Sequence, residues 1–159
     1  MNNLRHLSLA VVFVVAAHIG HAQFNPADPI SRIAFGSCSH QNDADQMWPD
    51  VLAMKPQLWI WGGDNIYGDT HDMEAMRKKY DLQKAAEGYW KLRRFCPIIG
   101  TWDDHDYGVN DGGKNFNKKK ESKDLFMEFM DVSPRDPMRT HEGVYSSYTF
   151  GTGKKENKK

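Results

Sequence analysis

Three short apolar runs, each closed by a turn of small or polar residues and followed at once by a polar cluster, constrain this chain more than any other feature. They are Ile33-Ala34-Phe35-Gly36-Ser37, Leu58-Trp59-Ile60-Trp61 and Pro97-Ile98-Ile99-Gly100-Thr101-Trp102. Each has the length of a strand and no polar alternation, the pattern of a strand buried on both faces. Helical periodicity lies between them. Asp45 to Lys55 sets Met47, Trp48, Val51, Leu52 and Met54 on one broad face with Pro56 as a stop. The charged stretch from Asp72 to Arg94 reads as one or two helices broken near Gly88. Strands alternating with helices predict βαβ units, hence an α/β fold with a mostly parallel sheet. Further on, Asn110 to Lys120 is a polar loop, and Ser122 to Met130 forms an amphipathic helix through Leu125, Phe126, Phe129 and Met130. Gly143 to Phe150 alternates Val144, Tyr145, Tyr148 and Phe150 with polar residues and predicts a strand or hairpin.

Such a sheet dictates where chemistry belongs, because ligands of open α/β sheets sit beyond the carboxyl ends of the strands. There the sequence places Ser37-Cys38-Ser39-His40, then Gly63-Asp64-Asn65-Ile66-Tyr67-Gly68-Asp69, then Asp103-Asp104-His105-Asp106. Neighbouring parallel strands bring all three to one edge. Acids gathered so closely repel one another unless a cation lies among them, which predicts a polyvalent metal site. Structural alternatives stand beside that reading. Asp104 or Asp106 can cap a turn, Asp64 follows glycine as many turn residues do, and Tyr67 can be a core aromatic. His71, His141 and the residues near Asn42 read as structural or solvent-facing.

The two cysteines are Cys38, after the first strand, and Cys96, before the third. A strand of about five residues separates those two edges by roughly 16 Å, beyond the ~7 Å Cα separation a disulfide allows. The expectation is a metal-bound thiolate at Cys38 and a buried apolar thiol at Cys96.

Composition and the N-terminus set the compartment. Arg5 precedes an almost continuous apolar run from Leu7 to Ala17, and Gly20-His21-Ala22 offers small residues at the outer positions of a signal peptidase site. The run is shorter than the ~20 residues a membrane span needs. A signal peptide over 1–22 and an exported protein, periplasmic or extracellular, are predicted, with no stable membrane anchor after cleavage. An uncleaved anchor or core helix is the alternative. With 21 basic and 21 acidic residues among 159, no basic footprint for nucleic acid is expected.

Phe35-Gly36-Ser37-Cys38, Gly63-Asp64-Asn65-Ile66-Tyr67 and Thr101-Trp102-Asp103-Asp104-His105-Asp106, in this order, resemble the alkaline phosphatase D (PhoD-like) family of the metallophosphoesterase superfamily. The likeness runs from about Ile33 to Phe150. It implies an α/β/β/α sandwich and an exported phosphoesterase, an alkaline phosphatase or phosphodiesterase, that uses two metal ions, iron(III) with calcium(II) or another divalent ion, on a phosphate-ester substrate. Carried over residue by residue, Cys38 becomes the thiolate ligand, Asp64 the carboxylate bridging the metals, and Tyr67 the phenolate ligand of ferric iron. Asp104 becomes a metal ligand, and His105 the catalytic histidine that contacts phosphate and assists the leaving group. His40 lines up with the histidine of the superfamily's Asp-x-His opening.

Family members continue past Gly151 with a further strand and a second half carrying more histidine and aspartate ligands. Here Thr152 to Lys159 is rich in lysine. The resemblance therefore predicts the sandwich truncated to its first half, with 23–151 as the N-terminal part of the metallophosphatase domain and 152–159 as a tail or an interrupted reading frame. It also predicts little turnover and weak metal retention by this chain alone. The alternative is a non-catalytic fragment or small metal- or phosphate-binding protein.

Overall fold

The computed structural model describes residues 27–44 and 46–151. The signal peptide expected over 1–22 and the lysine-rich tail expected over 152–159 lie outside the described residues. Among the described residues no helix is long and apolar enough to cross a membrane.

The three apolar runs become strands β1 (Ile33–Gly36), β2 (Leu58–Gly62) and β3 (Ile98–Thr101). They form one parallel sheet in the order β1-β2-β3, with Phe35 opposite Ile60 and Ile60 opposite Ile99. The predicted parallel α/β sheet is therefore present. Helices α1 (Trp48–Ala53), α2 (Met73–Ala85) and α3 (Glu87–Phe95) make the crossovers, and α4 (Asp104–Tyr107) and α5 (Lys119–Phe129) follow the sheet.

Alternation along β2 sends Trp59 and Trp61 to the same face. There they meet Trp48 of α1 edge-on at 5.3 and 5.6 Å between ring centroids. Trp61 also packs on Tyr89 of α3 and Phe129 of α5, and its indole N–H donates to the Tyr89 hydroxyl at 2.9 Å. Burial of these large rings is the main apolar stabilisation of the fold, at about 25 cal/mol per Å² removed from water. On the opposite face β1 is open, contrary to the expectation of burial on both faces: Phe35 and Ile33 remain 80% and 53% exposed, whereas Leu58 of β2, paired with Ile33, is buried.

Several local expectations are corrected. The α2–α3 break falls at Ala86, whose ψ of 123° is extended, and not at Gly88. Gly88 lies inside α3, where a Cβ would come within 2.2 Å of the Trp48 Cβ; it is there so that α3 can press on Trp48. The first helix begins at Trp48, with Pro49 in its first turn, and leaves Met47 and Met54 exposed. Residues 143–150 form no strand. Val144 is buried, but Tyr145 stacks on His141 at 4.1 Å and faces solvent. An alternating sequence becomes a strand only where a neighbouring ladder takes its hydrogen bonds.

Candidate metal centre

The three polar clusters meet beyond the carboxyl edge of the sheet. The first two loops are joined by backbone bonds, from Cys38 N to Gly63 O (3.4 Å) and Ser39 N to Asp64 O (3.1 Å). Gly63 joins the second to the third: its φ is +106°, and a Cβ would lie 2.7 Å from the Asp103 Cβ. Only glycine permits both that dihedral and that approach. Cys38, Asp64 and Asp69 all occupy the left-handed region, at φ 55°, 48° and 44°. Left-handed backbone at non-glycine residues is held in place only by its surroundings, and it concentrates at functional sites.

Asp64, Asp104 and His105 converge. Each is half-buried and offers one ligand atom, and the three atoms lie within 4.8 Å of one another. Asp64 Oδ1 is buried with no hydrogen-bond partner among the described residues. Its other oxygen accepts from Cys38 Sγ at 3.6 Å. Burial pushes the Asp64 carboxyl above its ordinary value, and Asp104 and Asp103 push it further, against the pull of His105 and Cys38. A carboxylate oxygen buried without a donor is costly, and a cation in the cluster would satisfy it. The donor set of two carboxylates and an imidazole, with a thiol beside them, fits a transition ion.

The other expected residues surround this group. Tyr67 lies with its ring 4.3 Å from that of His105. Burial raises its phenol above the ordinary value, followed by the nearby Cys38, Asp64 and Asp104. Gln41 clamps its backbone, accepting from Tyr67 N at 2.9 Å, and Lys79 Nζ donates to Tyr67 O and Gly68 O at 3.1 and 2.7 Å. His40 stands one ring further out, 5.3 Å from Tyr67; its Nδ1 accepts from Asn42 N at 3.3 Å, and it is not among the converging three. Both cysteines are free, Cys38 exposed and Cys96 buried. Burial raises the Cys96 thiol to about 11.

Two residues have roles that sequence reasoning did not assign. Asp69 Oδ1 lies 2.8 Å from His105 Nδ1, which leaves Nε2 as the free ring nitrogen. The signal was Gly68-Asp69, which repeats Gly63-Asp64 five residues on. Gly68 is needed because a Cβ there would sit 2.4 Å from His105 O. Asp106, grouped in the sequence with the site acids, instead faces the interior. It is fully buried and accepts from Asn65 N (3.1 Å), Asn65 Nδ2 (3.0 Å), Asp103 N (3.1 Å) and the Tyr80 hydroxyl (2.8 Å). Burial raises its carboxyl to about 7, against the pull of those donors. Asp103 caps α4, its side chain accepting from Asp104 N at 2.9 Å, and Asp104 Oδ2 accepts from Asp111 N at 2.5 Å.

Fold and site together define a parallel α/β protein with a carboxylate–imidazole cluster at the strand ends. No family model, curated protein or solved structure matches the chain.

Proposed function

We propose that this chain carries a metal-binding part of a hydrolytic centre for phosphate esters. Within that class, the motifs at all three strand ends favour a PhoD-like phosphoesterase of the α/β/β/α metallophosphoesterase fold. The observation that carries the reading is the convergence of Asp64, Asp104 and His105 around a buried, unpartnered Asp64 oxygen. The open apolar face of Ile33 and Phe35 supports the sandwich, since a second sheet needs such a face to pack on.

Asp64, Asp104 and His105 would hold one ion, with Cys38 and Tyr67 beside them as further donors; iron(III) with calcium(II) or another divalent ion is the proposed pair. Bound metals lower the pKa of water and neutralise charge on a phosphoryl group. The chain's own contribution is positional. Asp69 fixes the His105 ring through Nδ1 and so leaves Nε2 as the nitrogen that would face the ion, a ligand role in place of the proton-carrying one the resemblance implies. Export to the periplasm or the extracellular space belongs to the same proposal and rests on the composition of 1–22.

A specific observation favours a second reading, that of a metal-binding protein without turnover. Among the described residues only one group of three acidic, imidazole or thiol ligands converges, whereas a two-metal reaction needs more donors. Calorimetric titration of the chain with iron and calcium, followed by assay on p-nitrophenyl phosphate and its diester, tests both. Asp64→Asn and His105→Ala are expected to weaken metal uptake at least tenfold and to abolish any hydrolysis. Uptake without hydrolysis selects the second reading. Wild-type uptake by both variants would overturn the site.

A further inference from the structure

Each of the three polar clusters is tied to helix α2 by a different side chain of that helix. Lys79 Nζ donates to Tyr67 O at 3.1 Å and to Gly68 O at 2.7 Å, in the loop after β2. The Tyr80 hydroxyl donates to Asp106 Oδ1 at 2.8 Å, beyond the end of β3. Gln83 Nε2 donates to Ser39 Oγ at 2.9 Å, in the loop after β1 and next to Cys38. Positions 79 and 83 are four apart and 80 and 83 three apart, so the three side chains share one helical face.

That face is not ordinary packing. Gln83 is fully buried and Tyr80 is 3% exposed, at positions where an apolar side chain would pack without the cost of desolvating a polar group. Gln83 Oε1 accepts from Gln46 Nε2 at 3.2 Å, and the same Nε2 donates to His40 O at 3.0 Å, so a second tie reaches the first loop. Lys79 directs a charged donor at two backbone carbonyls, which makes those bonds stronger than neutral ones. The loops so held contain the left-handed residues Cys38, Asp64 and Asp69, whose backbone depends on its surroundings. The helix is itself fixed to α5, through Arg77 to Glu128 and Lys84 Nζ to Glu128 O.

We propose that α2 sets the spacing of the metal donors, with Gln83 the positioning residue for Cys38 and Lys79 the positioning residue for Tyr67. The proposal rests on the metal-centre reading. Neither side chain is a ligand. Gln83 holds the loop in which Cys38 Sγ reaches Asp64 Oδ2 at 3.6 Å, and Lys79 holds the Tyr67 backbone together with Gln41.

Metal spectra of the full chain separate the two ties. Cobalt(II) reports Cys38 through a thiolate-to-metal charge-transfer band, and iron(III) reports Tyr67 through a phenolate-to-metal band. Gln83→Met and Lys79→Met keep an unbranched side chain and remove the bonds. Gln83→Met is expected to halve the cobalt band or worse and to leave the iron band unchanged. Lys79→Met should do the reverse, each with about a tenfold loss of affinity for its reporter metal. Ser39→Ala removes the Gln83 bond from the loop side, at a half-buried position, and should reproduce the Gln83→Met spectrum even if that variant folds poorly. Near-ultraviolet circular dichroism of the tryptophan cluster should match the parent. Full bands in all three variants, or equal loss of both bands in each, would overturn the positioning roles and spare the metal centre. Metal uptake by the parent without either band would do the same, by denying Cys38 and Tyr67 as donors. No uptake of either metal would overturn the positioning roles and the metal centre together.

Discussion

Asp106 is the residue whose removal should disturb the candidate site most without touching a ligand. Asp106→Ala would leave two buried donors without an acceptor, Asn65 N and the Tyr80 hydroxyl, together with the part-buried Asp103 N. The Asn65 side-chain amide keeps its second bond, to Thr101 O at 2.9 Å, and is not counted. At ~1–3 kcal/mol for each buried orphaned group, the loss is roughly 2–6 kcal/mol, against a total stability of ~5–15 kcal/mol for an ordinary domain. Asp106→Asn is different. Its amide oxygen can take the place of Oδ2 and accept all three N–H groups, while its NH₂ donates to the Tyr80 oxygen, which also accepts. That variant also removes a buried charge, so it should stay within ~2 kcal/mol of the parent. Urea denaturation followed by near-ultraviolet circular dichroism of the tryptophan cluster measures both. Equal losses in the two variants, or an Ala variant within ~1 kcal/mol of the parent, would refute the reasoning.

Two further outcomes follow from the same geometry. In the native chain one of the two thiols, exposed Cys38, should react with an aromatic disulfide reagent at pH 8; Cys96, whose thiol burial raises to about 11, should react only in denaturant, and simultaneous labelling would contradict the packing of α3 against β2. Burial alone would raise the Asp131 carboxyl, but Lys84 and Arg93 outweigh it and hold it below its ordinary value of 3.8. The unfolded chain then binds more protons in that window, so the contribution is present above about pH 4 and lost as pH falls further. Because the Asp131 side chain is 58% exposed, the effect should be small and weaken with salt. Acid denaturation of Asp131→Asn should show a flatter limb below pH 4 than the parent.

What the sequence makes legible is what depends on neighbours along the chain. An unbroken run such as Leu58-Trp59-Ile60-Trp61 has few places to go except a sheet, and Asp72 in front of α2 signals a start, its carboxylate accepting from Glu74 N and Ala75 N at 2.9 and 3.3 Å. What stays hidden depends on distant partners. Gly88 reads as a breaker because the nearness of Trp48, 40 positions earlier in the chain, is invisible from the sequence. The alternation of 143–150 reads as a strand because the lack of a neighbouring ladder is equally invisible.

The acids of Asp103-Asp104-His105-Asp106 show why a site can be located from sequence yet not partitioned. Once α4 winds, consecutive side chains diverge by about 100°, so one turn sends Asp104 and His105 to the cluster and Asp106 into the interior. Asp103, just outside the turn, is spent on the cap. The residues at the edge and the one behind it are then mechanically joined. Asp106 holds Asn65 by its backbone and side chain, and Asn65 is adjacent to Asp64 in the chain. Any change that frees Asn65 therefore releases the left-handed backbone at Asp64, and the converging ligand group should be lost before the sheet is.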